Sequence, residues 1–247
     1  MINQDVKPTG IDSAYVEAPF DEAKAELEAD GYEIISLKQF ADLRIAQGKD
    51  SHVANYGAYV KEGFLYVPQK GIFLVRNSPI MTNAKAATQC HRKGREFYLT
   101  NEQVEESLKT SIEIENSRSI PTKRFGENEL TSFAFGPEAE RYGEFLKEAG
   151  IKQMPIYLAS MEKKPFARQA WLRRLGGDDQ SGLGGGRNLD YSYAVRGVRK
   201  ASTEGAKLAQ KILAPNLKEV LKYSRQFVPE VARKDFEKGL EALFIRE

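Results

Sequence analysis

Cysteine, tryptophan and histidine are almost missing from this chain: it holds one, one and two of them in 247 residues. A lone Cys90 closes no intrachain disulfide, which fits a reducing compartment. Cys90, His91 and His52 lack the four-ligand spacing of a zinc site. As neighbours, Cys90 and His91 point apart on either a helix or a strand, so they make a poor nucleophile–base pair. A buried, hydrophobic role for Cys90 is the simpler reading. No stretch approaches the roughly 18 apolar residues that a membrane span needs. Met1-Ile2-Asn3-Gln4-Asp5 carries neither the basic nor the apolar region of a secretory leader. Asn77-Ser78-Pro79 fails as a glycosylation acceptor. The expectation is a cytoplasmic protein without membrane contact.

Net charge is also scarce, at +2. Hydrophobic content of 41% with 29% charged residues is ordinary globular composition, enough for one large domain or two modest ones. The charge is unevenly spread. Residues 1–50 carry 5 Lys and Arg against 11 Asp and Glu, whereas residues 151–200 carry 10 against 4. A polyanion would therefore have to meet a local patch rather than the whole surface. The plain alternative is that acidic and basic segments neutralise one another across the fold.

What the chain does contain is a mixture of helical and strand periods. Phe20, Ala23 and Leu27 mark one face of a helix that Gly31 ends. A strand at 32–35 follows, and Ser36 with Gln39 forms a capping box opening a helix that buries Leu37, Phe40, Ala41 and Ile45. Between 57 and 80, aromatic and β-branched runs separated by Lys61-Glu62-Gly63 and Pro68-Gln69-Lys70-Gly71 predict a three-stranded antiparallel meander. Thr100 and Gln103 form a second capping box. Alternation predicts strands at 111–115 and 131–135. Tyr142, Phe145, Leu146 and Ala149 predict a helix after Pro137, and an apolar strand follows at 154–159. From Ala201 the pattern is helical.

The expected fold class is α+β: an N-terminal antiparallel meander with flanking helices, a central mixed α/β layer and a helical C-terminal third. Residues 1–200 are read as one body, with a subdivision near 81–100 left open, and 201–247 as a helical segment packed on it.

The most unusual stretch is 163–200. It carries nine Lys and Arg against three Asp. Ala167, Trp171 and Leu175, at i, i+4 and i+8, predict a basic helix from Pro165 with Trp171 as a core anchor. Six glycines between 176 and 187 allow positive φ and close approach to a ligand. No named phosphate motif is intact there: Arg187 stands where G-x-G-x-x-G needs glycine, and Gly-Lys-Ser/Thr is missing. A surface loop is the bland alternative. Tyr191, Tyr193 and Val195 then alternate on a strand edged with arginine, and tyrosine rings can stack on bases.

Candidate polyanion contacts are Arg168, Arg173, Arg174, Arg187, Tyr191, Tyr193, Arg196, Arg199 and Lys200. The leading reading is a non-catalytic protein that binds nucleic acid or another polyanion through them. An enzyme acting on a phosphate-containing substrate is the alternative. Glu162, Asp178 and Asp179 would be its catalytic candidates, holding Mg²⁺, with Glu113 and Glu115 as further ligands. Outside that alternative no metal or cofactor is expected. A structural subunit, and a homo-oligomer, remain open. The glutamates of 102–106 and 138–148 read as solvated helix faces.

Overall fold

Alternating apolar residues, capped helix starts and glycine stops build the chain of elements seen in the computed structural model, which describes residues 1–4, 11–114, 119–177 and 181–199. In chain order they are β1 (Asn3–Gln4), β2 (Asp12–Ala18), α1 (Phe20–Ala29), β3 (Glu33–Ile34), α2 (Leu37–Gln47) and α3 (His52–Asn55). Next come β4 (Ala58–Val67), β5 (Gly71–Val75), α4 (Ala84–Arg92), β6 (Phe97–Tyr98), α5 (Asn101–Leu108) and β7 (Ser111–Glu113). The last are β8 (Ser119–Pro121), α6 (Glu129–Phe135), α7 (Ala139–Glu148), β9 (Gln153–Tyr157), β10 (Phe166–Leu172), β11 (Leu183–Gly184) and β12 (Tyr193–Arg199). The protein is α+β, with helices around a mixed sheet. The boundary expected at residue 200 and the helices expected beyond it lie outside the described residues.

The main path of the sheet is β1-β2-β12-β4-β10-β11-β9-β8. Its centre is β4. Along its length β4 pairs antiparallel with β10, its C-terminal half pairs with β5, and Tyr59 bridges in parallel to Val195 of β12. β2 and β12 pair antiparallel over seven residues, which ties the start of the chain to the end of the described body. Helix α1 buries Phe20 edge-to-face on Tyr59 of β4, and α2 buries Phe40 against Arg196 of β12, both within the main core. A smaller cluster of Leu65, Val67, Val75 and Val104 lies under α5. Each such side chain contributes about 1.5–3 kcal/mol on burial.

Both expected capping boxes are present. The Ser36 hydroxyl accepts from the Gln39 N–H at 3.1 Å, and Gln39 Oε1 accepts from the Ser36 N–H at 2.9 Å. Thr100 and Gln103 repeat the exchange at 3.3 and 3.0 Å. A cap of this kind contributes about 1 kcal/mol. α2 has a further one, because buried Glu62 accepts from the Leu37 N–H at 2.9 Å.

Three expectations are corrected. The meander is a hairpin: β4 runs unbroken through Lys61-Glu62-Gly63, and only the 68–70 turn reverses the chain. Gly63 pairs with both Gln169 and Val75, and its missing Cβ leaves room for Ser78, whose Oγ would otherwise lie 2.5 Å away. Residues 131–135 belong to helix α6, capped by Asn128, whose side chain accepts from the Thr131 N–H at 3.1 Å. The basic helix expected from Pro165 is instead the central strand β10, buried along most of its length. Apolar residues recur at these positions because the strand is buried along most of its length, so their spacing does not tell it from a helix.

Candidate binding cleft

The C-terminal end of β10, the N-terminal end of β12 and the segment between them converge on a cleft of about 650 Å³. Trp171 and Gly57, Asn55 and Tyr56, Arg173 and Arg174, and Arg187 and Tyr193 line it. Glu17 of β2 is the single acidic side chain among the described residues of the lining. Gly57 is required for close approach: a Cβ there would meet Trp171 Nε1 at 2.6 Å and the Leu172 carbonyl at 2.7 Å.

Aromatic rings organise the cations. The Arg187 guanidinium lies 4.8 Å from the Trp171 ring centre and 4.3 Å from that of Tyr193. The two rings are edge-to-face at 5.4 Å, and Trp171 is in turn edge-to-face with buried Tyr59 at 4.9 Å. Such contacts hold a guanidinium through the ring quadrupoles while its N–H edge stays available for bidentate bonds. Arg173 lies 4.5 Å over the Tyr157 ring. Among the described residues, no carboxylate forms an ion pair with Arg173 or Arg187. Burial drives the Tyr59 phenol strongly upward, opposed by nearby Arg187, so it stays neutral and donates to the Asn188 carbonyl at 3.0 Å. Tyr56 and Tyr191 are exposed beside the cleft, with Tyr56 stacked on His52 at 4.3 Å.

Buried contacts set the backbone of this site. The Arg173 N–H donates to the Gly182 carbonyl at 2.9 Å, and its own carbonyl accepts from buried Arg44 Nη2 at 2.6 Å. At Gly182, Gly184 and Gly185 the glycine-rich segment serves packing. Gly182 to Gly185 are buried, with Leu183 and Gly184 pairing to β9 and β10. A Cβ at Gly182 would strike the Pro155 carbonyl and meet Tyr157 Cε2 at 2.8 Å, whereas one at Gly186 meets nothing within 4 Å. Gly182→Ala is therefore expected to lower unfolding free energy by about 1–3 kcal/mol. Gly186→Ala should stay within about 0.5 kcal/mol of the parent in the same urea titration. Equal effects would show that close packing is not why Gly182 is glycine.

The structure separates the candidates of the sequence. Arg173, Arg174, Arg187 and Tyr193 line the cleft, with Tyr191 adjoining it through its 5.9 Å ring contact to Tyr193. Arg168 does not join them: it is nearly buried, donating to Glu96 and, at 3.2 Å, to Asn188 Oδ1. Arg196 is fully buried, 5.1 Å from the Tyr15 ring and with Nη2 at 3.3 Å from His52 Nδ1. Arg199 sits at the far end of β12, roughly 20 Å from Tyr193 at strand rise, and bonds Asp12 and Asp30. Lys200, Asp178 and Asp179 lie outside the described residues. Glu162 is exposed and accepts from the Tyr98 hydroxyl, which that bond pushes to higher pKa.

Among the described residues no group of three or more His, Cys, Asp or Glu is placed to hold a metal ion. Nor is any of their helices long and apolar enough to cross a membrane. Sequence reasoning missed Tyr56, Asn55 and Glu17, which reach the cleft from distant segments and carry no local signal. No protein-family model matches the chain, and no curated protein does. A solved structure described as "Accommodation of massive sequence variation in Nanoarchaeota by the C-type lectin fold" aligns with it at a TM-score of 0.56. That alignment covers 79% of this chain and 99% of the other, at 16% sequence identity. At such identity the likeness is one of fold.

Proposed function

We propose that this chain is a non-catalytic binding module whose cleft takes an anionic ligand, nucleic acid or another polyanion. The observation that carries the reading is Arg187 held between Trp171 and Tyr193, with Arg173 and Arg174 lining the same cleft and Glu17 the one carboxylate among its described lining residues. A guanidinium fixed by rings loses little freedom on binding, so more of each charge-assisted bond appears as affinity. Tyr56 and Tyr191 offer stacking surfaces beside the cations. The description of the fold neighbour has the C-type lectin fold accommodating massive sequence variation. A cleft built from strand ends and connections over a buried sheet suits that, since its side chains change without repacking the core.

The test is fluorescence anisotropy of the full chain with a labelled oligothymidylate and, separately, a labelled oligoglutamate. Three arginine contacts to a single strand predict a log-affinity slope against log salt of about −2. Arg187→Ala is expected to weaken binding about tenfold and to shallow that slope by about 0.7. Preference for the oligothymidylate would favour nucleic acid, and preference for the oligoglutamate an acidic peptide. Absence of binding to both, or binding indifferent to salt and to Arg187, would sink the reading.

A further inference from the structure

Beneath the cleft lies a buried polar cluster that the binding site does not use directly. Residues 185–192 connect β11 to β12 and carry Arg187. Their middle is pinned from four elements. The Asn188 carbonyl accepts from Tyr59 of β4 at 3.0 Å, and its side chain accepts from Arg168 of β10 at 3.2 Å. The Leu189 carbonyl accepts from the Phe20 N–H of α1 at 2.8 Å. The fourth bond is unusual, because the Leu189 N–H donates at 3.0 Å to a side chain, His91 Nδ1 of α4. A ring nitrogen that accepts is unprotonated, so His91 is neutral with its proton on Nε2. That tautomer also removes Nε2 as a metal donor.

We propose that His91 is a positioning residue for the cleft: its neutral ring fixes Leu189 and hence Arg187, and protonation releases that segment and loosens the Arg187 clamp. The consequence for anion affinity rests on the binding reading above; the consequence for Arg187 does not.

The geometry gives protonation a direction. A proton on Nδ1 would face the Leu189 N–H donor to donor, so the two must part. Glu96 Oε2 lies 4.0 Å from Nε2, on the other side of the ring, and is buried without a hydrogen-bond partner among the described residues. It draws an imidazolium away from Leu189. Arg168 opposes the charge and Asp190 favours it. From α1, Glu22 is engaged by Arg92 of α4 at 2.8 Å. The turn Pro79–Thr82 before α4 brings no titratable side chain, and β6 brings Tyr98 alone. Burial first, and Arg168 after it, lower the His91 pKa to about 4, so the ring is neutral near pH 7.

Trp171, the only tryptophan, reports the position of Arg187 because the guanidinium covers its ring. The experiment records Trp171 emission and oligothymidylate affinity of the full chain from about pH 7 to below about pH 4. Wild type is expected to show a red shift on acidification, with affinity falling about tenfold. In His91→Asn the amide oxygen replaces Nδ1 as acceptor and cannot take up the proton, so the shift should vanish while neutral-pH emission is kept. His91→Ala should be shifted at every pH. Identical acid transitions in wild type and His91→Asn would overturn the proposal, as would an unshifted His91→Ala. If the variants do not fold, nitrogen NMR of wild type decides: a proton on Nδ1 at neutral pH overturns it, and one on Nε2 upholds it. A His91-dependent emission change without measurable anion binding would sink the binding reading and leave this one standing.

Discussion

Arg44→Ala is expected to lower unfolding free energy by about 3–5 kcal/mol, the largest stability effect of any single substitution considered. Arg44 is fully buried. Its Nε donates to the Val53 carbonyl at 3.1 Å, Nη1 to the Tyr142 hydroxyl at 2.9 Å and Nη2 to the Arg173 carbonyl at 2.6 Å. The guanidinium plane also lies 4.5 Å over Phe40. One side chain of α2 thus ties α3, α7 and the end of β10 together. Alanine leaves three acceptors unpaired in the interior, together with a cavity of several methylenes. Methionine fills much of that space but satisfies none of the acceptors, so Arg44→Met should cost about 1–3 kcal/mol. The expected order is therefore wild type, then Met, then Ala, read as urea midpoints with an unchanged slope. A methionine variant as stable as wild type would mean that Arg44 fills volume and nothing more. Because the Arg173 carbonyl is one of the three acceptors, both variants should also shift Trp171 emission at the cleft.

Much of the framework was legible in the sequence because local chemistry dictates it. Ser36 with Gln39 and Thr100 with Gln103 cap the helices expected of them, and Gly150 ends α7 at φ 81°. The errors have a common physical source. Ala167, Trp171 and Leu175 fit a helical face, but Leu175 lies beyond β10, and a strand buried on both faces has no polar alternation to correct the reading. Arg196 reads as one more cation of the basic segment, because charge in a sequence says nothing of burial. The structure surrounds it with Tyr15, Phe40 and His52 instead. The glycines of 182–185 suggested access to a ligand, yet the limiting atoms belong to Pro155, Tyr157, Phe64 and Arg168. Arg173, Arg174, Arg187 and Tyr193, which line the cleft, come from one basic segment legible in the sequence. Asn55, Tyr56, Gly57 and Glu17 arrive through the pairing of β2, β4 and β12, which is long-range information that no local pattern carries.

Two buried titratable groups should give the stability of this protein opposing dependences on pH. Burial raises the Glu62 pKa to about 7, against the lowering effect of the Leu37 N–H bond. Burial lowers that of His91 to about 4. Between about pH 4.5 and 7 the folded state holds a proton on Glu62 that the unfolded state lacks, so stability falls as pH rises, by about 1.4 kcal/mol per unit. Between about pH 4 and 6.5 the unfolded state holds a proton on His91 that the folded state lacks, so stability rises with pH at the same rate. Over the shared window the two slopes cancel. Glu62→Gln keeps an acceptor for Leu37 and removes the titration. Relative to wild type its stability should therefore gain with rising pH, by about 3 kcal/mol in all across the Glu62 window. His91→Asn should show the reverse, losing a similar amount relative to wild type from about pH 4 to 6.5. Differences between variant and wild type cancel the other carboxylates, whose titration is common to both. Urea midpoints measured at about pH 5, 6 and 7 decide the matter. Parallel profiles for Glu62→Gln and wild type would mean that Glu62 ionises at an ordinary carboxylate pH despite its burial under α2.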